Sequence, residues 1–132
     1  MIWDAQTGAL LATLEDHDGE VLSVAFSYDS KILASGSEDN TVKLWDVQSG
    51  ELQRTLEEHD GAVKAVSFLP DGIMLVSGGE DSTIRSWDVL TGSLLWTLEK
   101  HENVVNSLAF SPDGKTLASG SDDRTVKLWR IV

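Results

Sequence analysis

Tryptophan recurs at Trp3, Trp45, Trp87 and Trp129, always 42 residues apart. Histidine keeps the same register at His17, His59 and His101, as do Gly8, Gly50 and Gly92, and Asp39, Asp81 and Asp123. Counted from Asp4, the first and third copies agree at about two-thirds of positions, and no insertion breaks the register. A fixed period of roughly 20–50 residues builds a stack or ring of like units, because each unit buries its apolar face only against a neighbour. The period also changes what the length means. A chain of 132 residues would suit one ordinary domain, yet it resolves into three units of 42 with six residues left over.

Each unit reads as four short strands. In the first full set these are Val21–Ser27, Lys31–Ser37, Thr41–Trp45 and Glu51–Leu56. They are rich in Val, Leu, Ile, Phe, Trp and Thr, which suit a pleated sheet. Turn signals separate them: Tyr28-Asp29-Ser30 (matched by Pro70-Asp71-Gly72 and Pro112-Asp113-Gly114), Glu38-Asp39-Asn40, and Asp46 to Gly50. Apolar alternation is blurred, as in a sheet covered on both faces. No segment sustains a helical period for three turns.

A four-stranded meander repeated at this length and ending in Trp-Asp describes a propeller blade. The chain resembles the WD40-repeat family over essentially its whole length. The matching residues are Trp45-Asp46, Trp87-Asp88, Phe110-Ser111-Pro112-Asp113-Gly114 and Leu117-Ala118-Ser119-Gly120-Ser121. Two features depart from the family pattern. The Gly-His pair is Asp16-His17, Glu58-His59 and Lys100-His101, and the last Trp-Asp is Trp129-Arg130. The wording is also similar to the WD40 arrays of fungal nucleotide-binding, immune-like (NACHT/NLR-like) receptors. The expected fold is all-β, with three four-stranded antiparallel WD40-type blades forming a partial propeller or one completed between chains. Expected boundaries are 1–14 for the fourth strand of a shared blade, 15–56 and 57–98 for two whole blades, and 99–132 for an incomplete one.

His, Ser and Asp recur together as His17/Ser35/Asp39, His59/Ser77/Asp81 and His101/Ser119/Asp123. One such set could be a nucleophile, base and acid. Three equivalent copies instead favour a role inside every blade. The resemblance implies that each set, with Trp45, Trp87 or Trp129, forms a hydrogen-bonded chain fixing its blade. One His per unit lacks zinc-site spacing, and neither a calcium loop nor a Gly-rich phosphate loop is present. No catalytic, metal or cofactor residue is therefore expected. An enzyme or metal-binding propeller using one His/Ser/Asp set is the alternative from another class.

Chain direction sorts the loops by face. In a meander, the loop leading into the first strand and the turn between the second and third lie at the same end. The lead-in loops hold nine acids: Glu15, Asp16, Asp18, Glu20, Glu57, Glu58, Asp60, Glu99 and Glu102. The turns hold six more: Glu38, Asp39, Glu80, Asp81, Asp122 and Asp123. Most of the 22 acids, and most of the net charge of -12, thus fall on one face. Such a face is either a solvated rim or a docking surface for a basic protein or peptide. The resemblance favours docking, and Glu20, Leu22, Glu38, Ala62, Lys64, Glu80, Val104, Asn106 and Asp122 are the expected contact positions. Trp96, the one tryptophan outside the repeat register, is either a contact residue or packed on its neighbours.

The charge argues against nucleic acid or anionic membrane as partner. With 0 Cys and no signal-like start, an intracellular, cytoplasmic setting is expected. The sequence begins at the end of a third strand (Met1-Ile2-Trp3), continues through a fourth (Ala9 to Leu14), and closes with strands one to three of a last blade. Two expectations stand side by side here: a homodimer or homotrimer sharing blades, and a fragment of a longer array. The resulting reading is a non-enzymatic interaction scaffold. It would serve as the recognition region of a larger signalling or immune-like receptor, or as an adaptor of the mitochondrial-fission or ubiquitin-ligase kind. Structural repeat filler without a partner of its own is the remaining possibility.

Overall fold

The computed structural model describes residues 1–131, and these form thirteen β-strands and no helix. They are β1 (Ile2–Trp3), β2 (Leu10–Ala12), β3 (Val21–Phe26), β4 (Ile32–Ser37), β5 (Val42–Asp46), β6 (Leu52–Leu56), β7 (Val63–Phe68), β8 (Met74–Gly79), β9 (Ile84–Asp88), β10 (Leu94–Leu98), β11 (Val105–Phe110), β12 (Thr116–Ser121) and β13 (Val126–Arg130). Two four-stranded antiparallel meanders, β3–β6 and β7–β10, are followed by a three-stranded one, β11–β13, and preceded by the hairpin β1–β2. Strand limits agree with the sequence reading to within a residue except at β2. That strand is three residues long rather than the six of Ala9 to Leu14, because it pairs only with the two-residue β1.

The sheets stack through their first strands: β3 packs on β7, and β7 on β11. Between the first two sheets lies one apolar layer of Ala34, Val42, Leu44 and Leu56 from one side and Val63, Val66, Phe68, Leu75, Trp87 and Val89 from the other. Fully burying one such side chain stabilises by about 1.5–3 kcal/mol, so this layer is the main cohesive force between units. Gly36 permits the close approach. A Cβ there would meet Val63 Cγ1 at 2.7 Å, and Gly78 faces Val105 Cγ1 in the same way.

The second joint keeps the apolar character of the first, with Val76 for Ala34, Ile84 for Val42, Leu108 for Val66 and Ile131 for Val89, and departs from it most at one pair of positions. Ser86 stands where Leu44 stands in the preceding sheet, and Trp96 stands where Arg54 does. Trp96 is paired with Ser86 across the β9–β10 ladder, on the same face. The large indole accompanies the small side chain, and Trp96 packs half-buried against the cluster of Val76, Ile84, Val105 and Leu117. The structure therefore places Trp96 in the joint rather than on open surface.

Candidate functional site

Each sheet carries the same chain of polar groups. In the middle sheet, Trp87 Nε1–H donates to Ser77 Oγ at 2.8 Å, and Ser77 Oγ lies 2.7 Å from His59 Nε2. His59 Nδ1 lies 2.7 Å from Asp81 Oδ2. A carboxylate only accepts, so Nδ1 carries the ring proton, and the serine hydroxyl donates to Nε2. The first sheet repeats these contacts with Trp45, Ser35, His17 and Asp39, and the last with Trp129, Ser119, His101 and Asp123, at 2.6–2.9 Å. The twelve residues drawn together by register in the sequence thus meet as three four-membered chains.

A fifth member was not singled out from the sequence. Thr83 Oγ1 and N donate to Asp81 Oδ1 at 2.8 and 3.1 Å, and the Asp60 backbone N–H donates to Oδ2 at 3.1 Å. Thr41 and Thr125 do the same for Asp39 and Asp123. The signal was present, since an Asp-x-Thr triplet recurs at the repeat spacing. Two cations were also missed. Lys43 Nζ donates to Asp16 Oδ2 at 2.6 Å and to Thr55 Oγ1 at 3.1 Å, and Arg85 Nε lies 3.9 Å from Asp81 Oδ2.

Burial alone would raise the pKa of Asp39, but bonds from Thr41, His17 and the Thr41 and Asp18 backbone outweigh it and hold it at about 2. The same opposition, won by His59 and Thr83, keeps Asp81 well below the usual carboxylate range. Thr125 is the leading cause of the depression at Asp123. All three carboxylates are therefore charged at neutral pH and serve as acceptors.

Serine to Nε2 and aspartate to Nδ1 is also the connectivity of a hydrolytic triad. The decisive difference is access. Ser77 is fully buried, Ser35 and Ser119 are buried, and each hydroxyl oxygen already accepts an indole N–H. A nucleophile must reach a substrate carbonyl; Ser77 and Ser119 have almost no exposed surface, and Ser35, which with His17 borders an open concavity of the first sheet, is itself buried. Among the described residues, no group of three or more His, Asp or Glu is placed to hold a metal ion.

The loops of each sheet are tied end to end. Glu38 N–H donates to Glu20 O, Glu80 N–H to Ala62 O and Asp122 N–H to Val104 O, which holds each lead-in loop beside the turn after the second strand. On the opposite end the Trp-Asp aspartates build turns. Asp46 Oδ1 accepts Ser49 N–H, and Asp88 Oδ1 accepts Leu90 and Thr91 N–H.

On the acidic end, Glu20, Glu38, Glu80, Asn106 and Asp122 are exposed, and Leu22, Lys64 and Val104 are half-buried. Ala62 is the exception among the expected contact positions. It is buried, because its side chain is small and its sheet has neighbours on both faces, so it offers almost no side-chain surface. Beside the three turn acids stand three different residues. Lys64 Nζ is 3.9 Å from Glu80, Asn106 Nδ2 donates to Asp122 Oδ1 at 2.6 Å, and Leu22 occupies the equivalent place in the first sheet.

Successive antiparallel meanders of up to four strands, stacked through their first strands, are the blades of the β-propeller class of repeat protein, and here each carries the same internal chain from Trp to Asp. The family model described as the WD domain, G-beta repeat matches residues 8–46, 50–88 and 92–130, and the chain belongs to the WD40-repeat family. Each matched stretch begins before the outer strand of one sheet and runs to the third strand of the next. The chain is 49% identical over 43 residues to the Periodic tryptophan protein 2 homolog of Schizosaccharomyces pombe, which is 33% of this chain and 5% of that protein. It is 42% identical over 43 residues to Periodic tryptophan protein 2 of Saccharomyces cerevisiae, with the same coverage of 33% and 5%. It is 52% identical over 41 residues to Vegetative incompatibility protein HET-E-1 of Podospora anserina, 31% of this chain and 3% of that protein. The chain thus matches one repeat's length in proteins many times longer. WD40 repeats serve in general as scaffolds for contacts between proteins rather than as enzymes.

Proposed function

We propose that this chain is a non-enzymatic interaction module whose acidic end docks a protein or peptide with a basic surface. The observation that carries the reading is the threefold placement of an exposed acid, Glu38, Glu80 and Asp122, beside a residue that changes from blade to blade, Leu22, Lys64 and Asn106. The constant acids supply attraction and steering, and the changing neighbours supply selectivity. Ala62 contributes only backbone to such a surface. With a net charge of -12, nucleic acid and anionic membrane are poor partners, and no helix among the described residues is long and apolar enough to cross a membrane. An intracellular, cytoplasmic setting belongs to this reading and rests on the cysteine-free composition. Similarity to the vegetative incompatibility protein HET-E-1 supports the recognition region of a larger receptor over an adaptor.

The test is binding of a Lys/Arg-rich peptide to the chain and to a Glu38→Gln, Glu80→Gln, Asp122→Asn triple variant, at low and moderate salt. Weaker, less salt-sensitive binding by the variant is expected. Equal binding would remove the docking assignment, leaving the acids as a solubilising rim.

A further inference from the structure

The middle sheet, β7–β10, is covered by a sheet on each face, so it meets solvent through its two ends and its outer strand. At the end away from the acidic loops, three of its side chains break the repeat. Lys31, Gln48 and Gln53 of the first sheet are replaced there by Ile73, Leu90 and Leu95. These are 52%, 72% and 50% exposed. The last unit keeps the lysine as Lys115, and Gln6 keeps the first glutamine; Leu11 and Val132 are the other apolar residues at these places.

Exposed apolar residues scattered singly mean little, but these three are gathered. Val89 N–H donates to Ile73 O at 2.9 Å, which lays the turn before β8 against the turn after β9. Leu90 N–H donates to Asp88 Oδ1 at 2.9 Å. In the first sheet Gln53 Nε2 reaches Asp46 Oδ2 at 3.4 Å, and the same register sets Leu95 beside Asp88. The three residues therefore share the corner where this end of the sheet meets its outer strand. The corner is also rigid. Asp71 Oδ1 accepts Ile73 N–H at 2.9 Å, Gly92 N–H closes onto Asp88 O at 2.8 Å, and the Arg54 guanidinium of the neighbouring sheet donates to Leu90 O. Turns fixed in this way need no further ordering when a partner lands on them.

Charge indicates the occupant. In the first and last sheets a lysine stands two residues after the turn aspartate, as Asp29 with Lys31 and Asp113 with Lys115. After Asp71 that place is Ile73, so an exposed carboxylate stands without its lysine beside the apolar corner. Such a surface suits apolar side chains next to a lysine or arginine. A second copy of this chain, with its net charge of -12, would bring mainly acids to it. We infer that the corner of Ile73, Leu90 and Leu95 is a second docking surface, distinct from the acidic end, for an apolar protein segment flanked by lysine or arginine.

The probe is a labelled amphipathic peptide of leucine and lysine, titrated into the 132-residue chain and followed by fluorescence anisotropy. The test variant is Ile73→Gln, Leu90→Gln, Leu95→Gln, which alters only exposed side chains and leaves the charge unchanged. It should bind the peptide about tenfold or more weakly, since burying one such side chain is alone worth that factor, with an unchanged far-UV spectrum. Asp71→Asn should weaken binding and lower its salt dependence. Bound peptide should protect amides in 71–73 and 88–95 from hydrogen exchange. A peptide with serine for leucine should bind the chain and the glutamine variant alike. The Glu38→Gln, Glu80→Gln, Asp122→Asn variant should keep the leucine-dependent part of the binding, which separates a failure here from a failure of the acidic end. Equal affinity of the chain and the glutamine variant overturns the inference, as does a peptide with glutamate for lysine that binds as well as the original. Self-association of the chain, or binding to phosphatidylcholine vesicles, that the glutamine variant abolishes likewise overturns it, by giving the corner to another occupant.

Discussion

Ser77→Ala is the most informative single change in the molecule. The Ser77 oxygen takes the indole proton of Trp87 at 2.8 Å and gives its own proton to His59 at 2.7 Å. Both neighbours are buried along with it. Alanine keeps the Cβ and removes only one oxygen, a gap too small for a replacing water. One donor and one acceptor are left without partners, each at about 1–3 kcal/mol, so the loss is about 2–6 kcal/mol. The matched change Ser119→Ala is the internal control. Trp129 is half-buried, so water can reach its freed indole N–H, while His101 stays buried and loses its partner, and a smaller loss of about 1–3 kcal/mol is expected. The assay is a urea titration followed by tryptophan fluorescence and far-UV dichroism, read as a fall in midpoint at constant slope. A Ser77→Ala, Trp87→Phe double variant should lose less than the sum of its parts, because the second change removes the donor the first has orphaned. If Ser77→Ala and Ser119→Ala lose equal amounts, or if the first loses less than 1 kcal/mol, the reasoning that burial gives this chain its energetic weight is wrong.

Acid should unfold the chain through its network aspartates. Their folded pKa values lie below the unfolded value, so the stability they add is full above pH 3.8 and is lost as pH falls towards about 2 for Asp39, and lower still for Asp81. Urea midpoints measured across that window should drop steeply, and Asp81→Asn, itself less stable at neutral pH, should show a shallower drop; a parallel curve would refute the assignment. Ser86→Ala should stabilise the protein by about 1 kcal/mol, because Ser86 Oγ is buried without a hydrogen-bond partner at a position where the other repeats carry Ile2, Leu44 and Leu128. A lower melting temperature for this variant would mean that the hydroxyl is satisfied after all.

The repeat period, the four-strand unit, the turns and the three sets of His, Ser, Asp and Trp were all legible in the sequence, for one physical reason. These features are set by contacts within one 42-residue unit, and threefold repetition averages away local ambiguity. Thr41, Thr83 and Thr125 were equally legible and were overlooked, since a threonine in a strand already has an explanation in β-propensity. What the sequence could not distinguish is which identical residues are covered. Val21-x-x-Val24-x-Phe26 and Val63-x-x-Val66-x-Phe68 are the same pattern, yet one is half in water and the other is core. Ala62 and Trp96 illustrate the same limit: one is buried where a surface position was expected, and the other fills a joint opposite Ser86 rather than standing free. Burial between units depends on which neighbours are present, a property of the stack and not of the unit. The sequence by itself therefore determined the blade, and only the tertiary structure decided which blade faces have a partner.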